Sequence, residues 1–209
     1  MKRDDLTSRV ATRIKEGLCW ASEEPIEIFE DVREGEARVT CTASVDGLCL
    51  VFQLDRVGFP FLRQQKSVDW LVLVHLPDGS MDAHLVECKR KVNAHTWSDV
   101  KSQMASSVVR SFALAGVLNA SIRRFYAYTA YRHDNLSARR SPDPIFARLP
   151  VGSGAVAGQE GTETRQARLG QLDWEAPEIV LQGVDAPLVH RRVQLDQASG
   201  VGRMDLIAS

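Results

Sequence analysis

Hydrophobic and polar positions change period several times along the 209 residues, and each change predicts an element. Over residues 4–20, Leu6, Val10, Ile14 and Leu18 recur every fourth position, which lays one apolar stripe along a helix. Asp4 and Asp5 stand at its start, where the helix dipole favours negative charge. The acidic stretch from Glu23 to Glu36, interrupted by Pro25, reads as a solvated connector without regular structure of its own. From Ala37 to Ala43 apolar and polar residues alternate, the period of a half-buried strand, and Leu48 to Leu54 is mostly apolar. Asp46-Gly47 between them is a tight-turn signal, so the two strands are expected to form a hairpin.

Val68 to Leu76 is apolar on both faces, which suits a central strand covered on both sides. Pro77-Asp78-Gly79-Ser80 makes a turn, because proline presets one dihedral and glycine permits positive φ. Ala83 to Lys89 is the returning strand. Residues 96–118 then carry Trp97, Val100, Met104, Val108, Phe112 and Leu118 on or near one stripe, a long helix. Ile122 to Tyr131 is a further strand, giving the order α-β-β-β-β-α-β. Residues 150–170 are rich in Gly, Ala and charge and read as a long loop. Short strand-like pieces follow at 178–181, 188–195 and 202–207. No internal repeat marks a second domain.

One constellation in this frame carries chemistry. Asp69 opens the apolar strand, and Glu87-Cys88-Lys89 closes the next one. Alternation puts Glu87 and Lys89 on one face. Pairing residue 76 with 81 would set Asp69 opposite Cys88, on the wrong face. An odd-length turn or a bulge is therefore needed to bring Asp69 to Glu87. Two carboxylates with an intervening backbone carbonyl, that of Cys88, form an all-oxygen site for a hard cation such as Mg²⁺ or Mn²⁺. A lysine two residues on can orient a metal-bound water and offset charge in the transition state. Phosphodiester hydrolysis uses these parts. The competing readings are plainer: a surface Glu87–Lys89 pair at a strand end, or a Cys88 nucleophile served by His84 or His75. The latter is disfavoured, since Cys88 faces away from its neighbours in the strand.

Composition bounds the rest. The chain is 44% apolar and 25% charged, ordinary for a folded domain. No apolar run is long enough for a membrane span, and no apolar stretch behind the N-terminus resembles a signal peptide, so a cytoplasmic protein with no membrane partner is expected. Four cysteines without a Cys-x-x-Cys pair argue against a disulfide scaffold or structural zinc. The net charge of -1 conceals an asymmetry: residues 87–148 hold 11 Lys/Arg against 4 Asp/Glu. Such a block favours a polyanion. Lys91, Lys101, Arg110 and Arg132 are the candidate nucleic-acid contacts within it, and Arg123, Arg124, Arg139, Arg140 and Arg148 follow the site in sequence.

Asp69 followed by Glu87-x-Lys89, on successive strands before a long helix, resembles the PD-(D/E)XK nuclease superfamily. Val68 stands where the name-giving proline would be. The resemblance implies an α/β fold with a mixed sheet, a restriction-endonuclease-like αβββαβ core over residues 1–131 with helices on both faces. Residues 132–209 would be a strand-rich extension packed on the same domain. It implies catalytic roles for Asp69, Glu87 and Lys89, with Gln103 on the following helix in support and Glu16 on the first helix as an optional further acid. It implies Mg²⁺ or Mn²⁺ held by Asp69, Glu87 and the Cys88 carbonyl. The implied substrate is nucleic acid, DNA rather than RNA, in a setting of bacterial restriction, repair or anti-phage defence. The alternative is a nuclease-like fold without catalysis, acting as an interaction or scaffold subunit or pairing with a second copy.

Overall fold

In the computed structural model, residues 3–30, 39–45, 47–60, 62–137 and 173–206 are described. The loop expected over 150–170, together with Arg139, Arg140 and Arg148, lies outside them. The fold is α/β. Helix α1 (Arg3–Arg13) is followed by strands β1 (Cys19–Ser22), β2 (Ile26–Glu30), β3 (Val39–Val45) and β4 (Cys49–Gln53) and a 3₁₀ turn at Leu54–Arg56. Strands β5 (Trp70–His75) and β6 (Met81–Val92) lead into helix α2 (Ala94–Leu118). Strand β7 (Ile122–Asp134) then precedes β8 (Glu178–Ile179), β9 (Leu188–Gln194) and β10 (Val201–Leu206).

Seven strands form one mixed sheet in the order β1-β4-β5-β6-β7-β9-β8, and β10-β3-β2 form a smaller one. β6, β7 and β9 run parallel; the other neighbours in the large sheet are antiparallel. Among the described residues no helix is long and apolar enough to cross a membrane.

Four features differ from the expectations drawn from the sequence. First, both helices lie on one face of the large sheet, not on both. Leu6 of α1 and Trp97, Met104 and Leu118 of α2 share a core with Leu50, Leu71, Leu85 and Ala127. The opposite face, with Val51, Trp70, Val86 and Tyr128, is covered by Ile26, Ile28, Met204 and Leu206 of the small sheet. Second, β3 and β4 do not pair. Gly47 does take the positive φ of a turn, at 94°. But β4 is buried on both faces and is taken up between β1 and β5, while β3 pairs with β2 and β10. The supposed connector 23–36 contains β2, whose Ile26 and Ile28 point inward and whose Glu27 is exposed. The first helix also ends early: Gly17, at φ 81°, turns the chain out of it and into β1.

α2 is framed at both ends. The Asn93 side chain accepts from the Thr96 N–H at 3.0 Å, an N-cap. Asn119 takes the left-handed conformation at φ 50°, which an Asn side chain tolerates. Arg9 and Arg13 of α1 donate to the Leu118 and Val117 carbonyls, closing the last turn.

Two buried histidines make a pH signature. His84 stacks on Tyr126 at 4.9 Å and faces the Tyr128 hydroxyl at 3.1 Å. His190 lies 3.1 Å from the Thr129 hydroxyl, against Trp97 and Trp174. Burial pushes His84 down to about 3 and His190 to about 4. Below pH 6.5 the unfolded chain protonates both while the native chain does not, so stability falls as pH drops from 6.5 toward 4. The pair is expected to cost about 2–3 kcal/mol between pH 7 and 5.5. Urea midpoints at those two pH values check this, and equal midpoints would contradict it.

Candidate metal centre

The centre is built by the β5–β6 hairpin. Leu76 N–H bonds to the Ser80 carbonyl at 2.9 Å, and Gly79 N–H to the Leu76 carbonyl at 2.9 Å, so the loop is the three residues Pro77–Gly79. Gly79 takes φ 84°, and the Asp78 carboxylate receives the Ser80 N–H at 2.8 Å. The turn is thus odd-length. His75 pairs with Met81 and Trp70 with Val86, and one further step sets Asp69 opposite Glu87. Both share the helix-covered face with Leu71 and Leu85, and Lys89 is on the same face.

The two carboxylates are tied together through the main chain. Glu87 Oε2 accepts the Asp69 N–H at 3.1 Å, and Asp69 Oδ2 accepts the Cys88 N–H at 2.8 Å. Asp69 therefore occupies the place where the ladder partner of Cys88 would be. In a strand the N–H and C=O of one residue lie on the same edge, so the Cys88 carbonyl is on the Asp69 side. Its side chain is fully buried in the core of the opposite face. Glu87 is fully buried and forms an ion pair through Oε1 with Lys89, whose side chain is 20% exposed. Burying this carboxylate would be costly without such a partner.

Asp69 stands where the chain leaves the sheet, and α2 catches it there. The Val68 N–H goes to the Ser107 hydroxyl at 2.9 Å, and Gln103 Nε2 donates to the Ser67 carbonyl at 2.9 Å. Ser106 donates to the Gln64 carbonyl at 3.2 Å, and Arg110 to the carbonyls of Val57, Gln64 and Gln65. One polar seam of α2, Gln103, Ser106, Ser107 and Arg110, thus holds the chain at Val57, Gln64, Gln65, Ser67 and Val68, next to Asp69. Gln103 acts on that approach, as a positioning residue.

Two expected nucleic-acid contacts are corrected by burial. Arg110 is 2% exposed, its guanidinium stacked on Phe59 at 5.1 Å and bonded to carbonyls. Arg132 is 6% exposed and donates to the Gln197 and Ala198 carbonyls of the turn before β10. Neither reaches a phosphate. Lys101 is bonded to Asp173 at 2.7 Å and lies over Trp97. Lys91 is exposed on the same face of β6 as Lys89. Arg123 is paired with the buried Asp82 at 2.7 Å. Glu16 falls in the turn after α1, at the end of the domain that holds the C-terminus of α2, and does not join the centre.

Among the described residues no group of three or more His, Cys, Asp or Glu side chains converges. The centre offers two carboxylates, and the donor set fits an ion that takes the remainder from a backbone carbonyl, water and phosphate. No protein-family model matches the chain, and the searches of curated proteins and of solved structures return no match.

Proposed function

We propose that the chain is a Mg²⁺- or Mn²⁺-dependent phosphodiesterase of the PD-(D/E)XK type acting on nucleic acid, with DNA as the expected substrate. The observation that carries this reading is the cross-strand meeting of Asp69 and Glu87, each bonded to the main chain of the other's strand, with Lys89 on Glu87. The order α1, β4, β5, β6, α2, β7 supports it, with β1–β3 inserted after the first helix.

In this reading Asp69, Glu87 and the Cys88 carbonyl would hold the ion. A divalent ion held there would supply polarisation of the scissile phosphate and a more acidic water. The Lys89 ammonium, paired with Glu87, would orient the attacking water and offset charge on the phosphate. Gln103 and Ser107 hold the chain entering Asp69, so the two carboxylates keep their spacing.

The test is incubation of the full chain with plasmid DNA and Mn²⁺. Cleavage is expected, with a loss of about 10²–10⁴-fold in Lys89→Ala. Equal cleavage by wild type and Lys89→Ala, or none by wild type, would remove the catalytic reading.

A further inference from the structure

We propose that the cleft between the open edges of β9 and β10 seats the phosphate backbone of the nucleic acid, with Arg192 as its anchor. The proposal rests on the hydrolytic reading above for the identity of the ligand. β8 covers only Leu188 and Val189 of β9, and β10 pairs with β3 alone, so among the described residues both strands leave an outer edge without a partner strand. Between them lies a cleft of about 860 Å³, lined by Arg191, Arg192 and Arg203 as well as Tyr131 and His190.

Register ties this cleft to the metal centre. Glu87 pairs with Thr129, and Thr129 with Arg192. The three occupy one row on the helix-covered face, and Arg192 stands two strand spacings, about 10 Å, from Glu87. In the next row Lys89 is opposite Tyr131, which itself lines the cleft. A strand of nucleic acid crossing the C-terminal ends of β6, β7 and β9 would meet both sites.

The chemistry suits a phosphodiester. Arg191, Arg192 and Arg203 are exposed, and none forms an ion pair among the described residues. Arg192 stacks on Trp174 at 5.5 Å, and Trp174 is fully buried among Trp97 and Tyr131. A guanidinium held over an aromatic ring in this way can still offer N–H groups to a phosphate. His190 is 4% exposed, and its Nδ1 has no hydrogen-bond partner. Of the acids lining the cleft, Asp134 accepts from Leu136, Ser137 and Trp174, and Glu175 from Ser137. Asp205 is the remaining carboxylate of the lining and is exposed, against three lining arginines.

The test is fluorescence anisotropy with a labelled DNA duplex in EDTA, where hydrolysis cannot intervene, alongside cleavage in Mn²⁺. The variant Arg191→Ala/Arg192→Ala/Arg203→Ala is expected to bind at least tenfold more weakly near 0.1 M salt. Its log-affinity against log-salt slope should fall by roughly two to three, since each phosphate contact contributes about 0.9. Lys15→Ala, at the opposite end of the domain, should bind like wild type. Thermal melts matching wild type confirm that the triple variant is folded. Unchanged binding by the triple variant overturns the proposal, and wild-type cleavage in the same series would leave the hydrolytic reading standing. Displacement of the duplex by polyglutamate of equal charge at equal concentration also overturns it, in favour of an acidic peptide. Arginine-dependent binding without cleavage supports the cleft and sinks the hydrolytic reading.

Discussion

Asp69→Asn is expected to lower metal-dependent cleavage by about 10³-fold or more while leaving the fold in place, because a shared divalent ion supplies several kcal/mol of transition-state stabilisation. The substitution is chosen for its geometry. An asparagine oxygen can still accept the Cys88 N–H that Asp69 Oδ2 receives at 2.8 Å, so the strand end stays paired. What is lost is the formal charge that a hard cation needs. The companion change Glu87→Gln is expected to behave differently. Glu87 is fully buried and ion-paired with Lys89, so its neutralisation removes that ion pair from a buried site and lowers stability as well as activity. Cleavage rates in Mn²⁺, Mn²⁺ titration by calorimetry and thermal melts separate these effects. Asp69→Asn with wild-type cleavage would show that the carboxylates do not share an ion.

The hairpin that makes this centre was legible because its constraints are local. Strand alternation puts Glu87 and Lys89 on one face, and bringing Asp69 to that face takes an odd loop or a bulge between these strands. Pro77-Asp78-Gly79 has the chemistry for such a loop, with Gly79 at φ 84°. α2 was legible for the same reason, its apolar stripe being dense. Sheet membership was not. Asp46-Gly47 specifies a reversal of direction, not which strand will lie beside which. β4 is apolar on both faces and is drawn to the sheet centre, where burial on two sides repays it. β2 was hidden by its charge, although Ile26-Glu27-Ile28 carries the two-residue period that could have revealed it.

Positive charge was the least legible feature. A count of Lys and Arg weights residues 87–148, yet two of the arginines chosen there are turned inward onto carbonyls. The exposed arginines Arg191, Arg192 and Arg203 lie in a segment whose net charge is negative. A guanidinium bonds equally well to a backbone carbonyl or a phosphate, so residue type alone does not separate the two. A spacing signal did exist for Arg110. Gln103, Ser106, Ser107 and Arg110 recur at helical intervals, a polar seam on a helix that is otherwise largely apolar, and such a seam needs polar backbone to meet it.

That seam leads to the second large effect. Arg110→Ala is expected to destabilise the protein by about 2–4 kcal/mol, because it removes the donor to the Val57 carbonyl in a buried contact, two further bonds to the Gln64 and Gln65 carbonyls and the packing of a side chain that is 2% exposed. The guanidinium bonds to Val57 at 3.1 Å, to Gln64 at 3.3 Å and to Gln65 at 2.5 Å, and packs on Phe59. Removing it also relieves the desolvation of a buried charge, which offsets part of the loss. The balance stays unfavourable because alanine gives the three carbonyls no donor and leaves a void beside Phe59. Arg110→Lys should recover little, since one ammonium on a flexible stem cannot span acceptors that a planar fork reaches together. The melting temperature should drop by about 4–16 °C for a chain of this length. The local consequence reaches further than stability. Residues 62–68 lead to Asp69, so loosening them widens the range of positions that carboxylate samples opposite Glu87. At a temperature where Arg110→Ala is still folded, Mn²⁺ affinity should therefore weaken more than tenfold, while Arg132→Ala, which removes an anchor near β10, should leave it within about twofold. Equal Mn²⁺ affinities in the two variants would mean that the α2 seam supports the fold without positioning the centre.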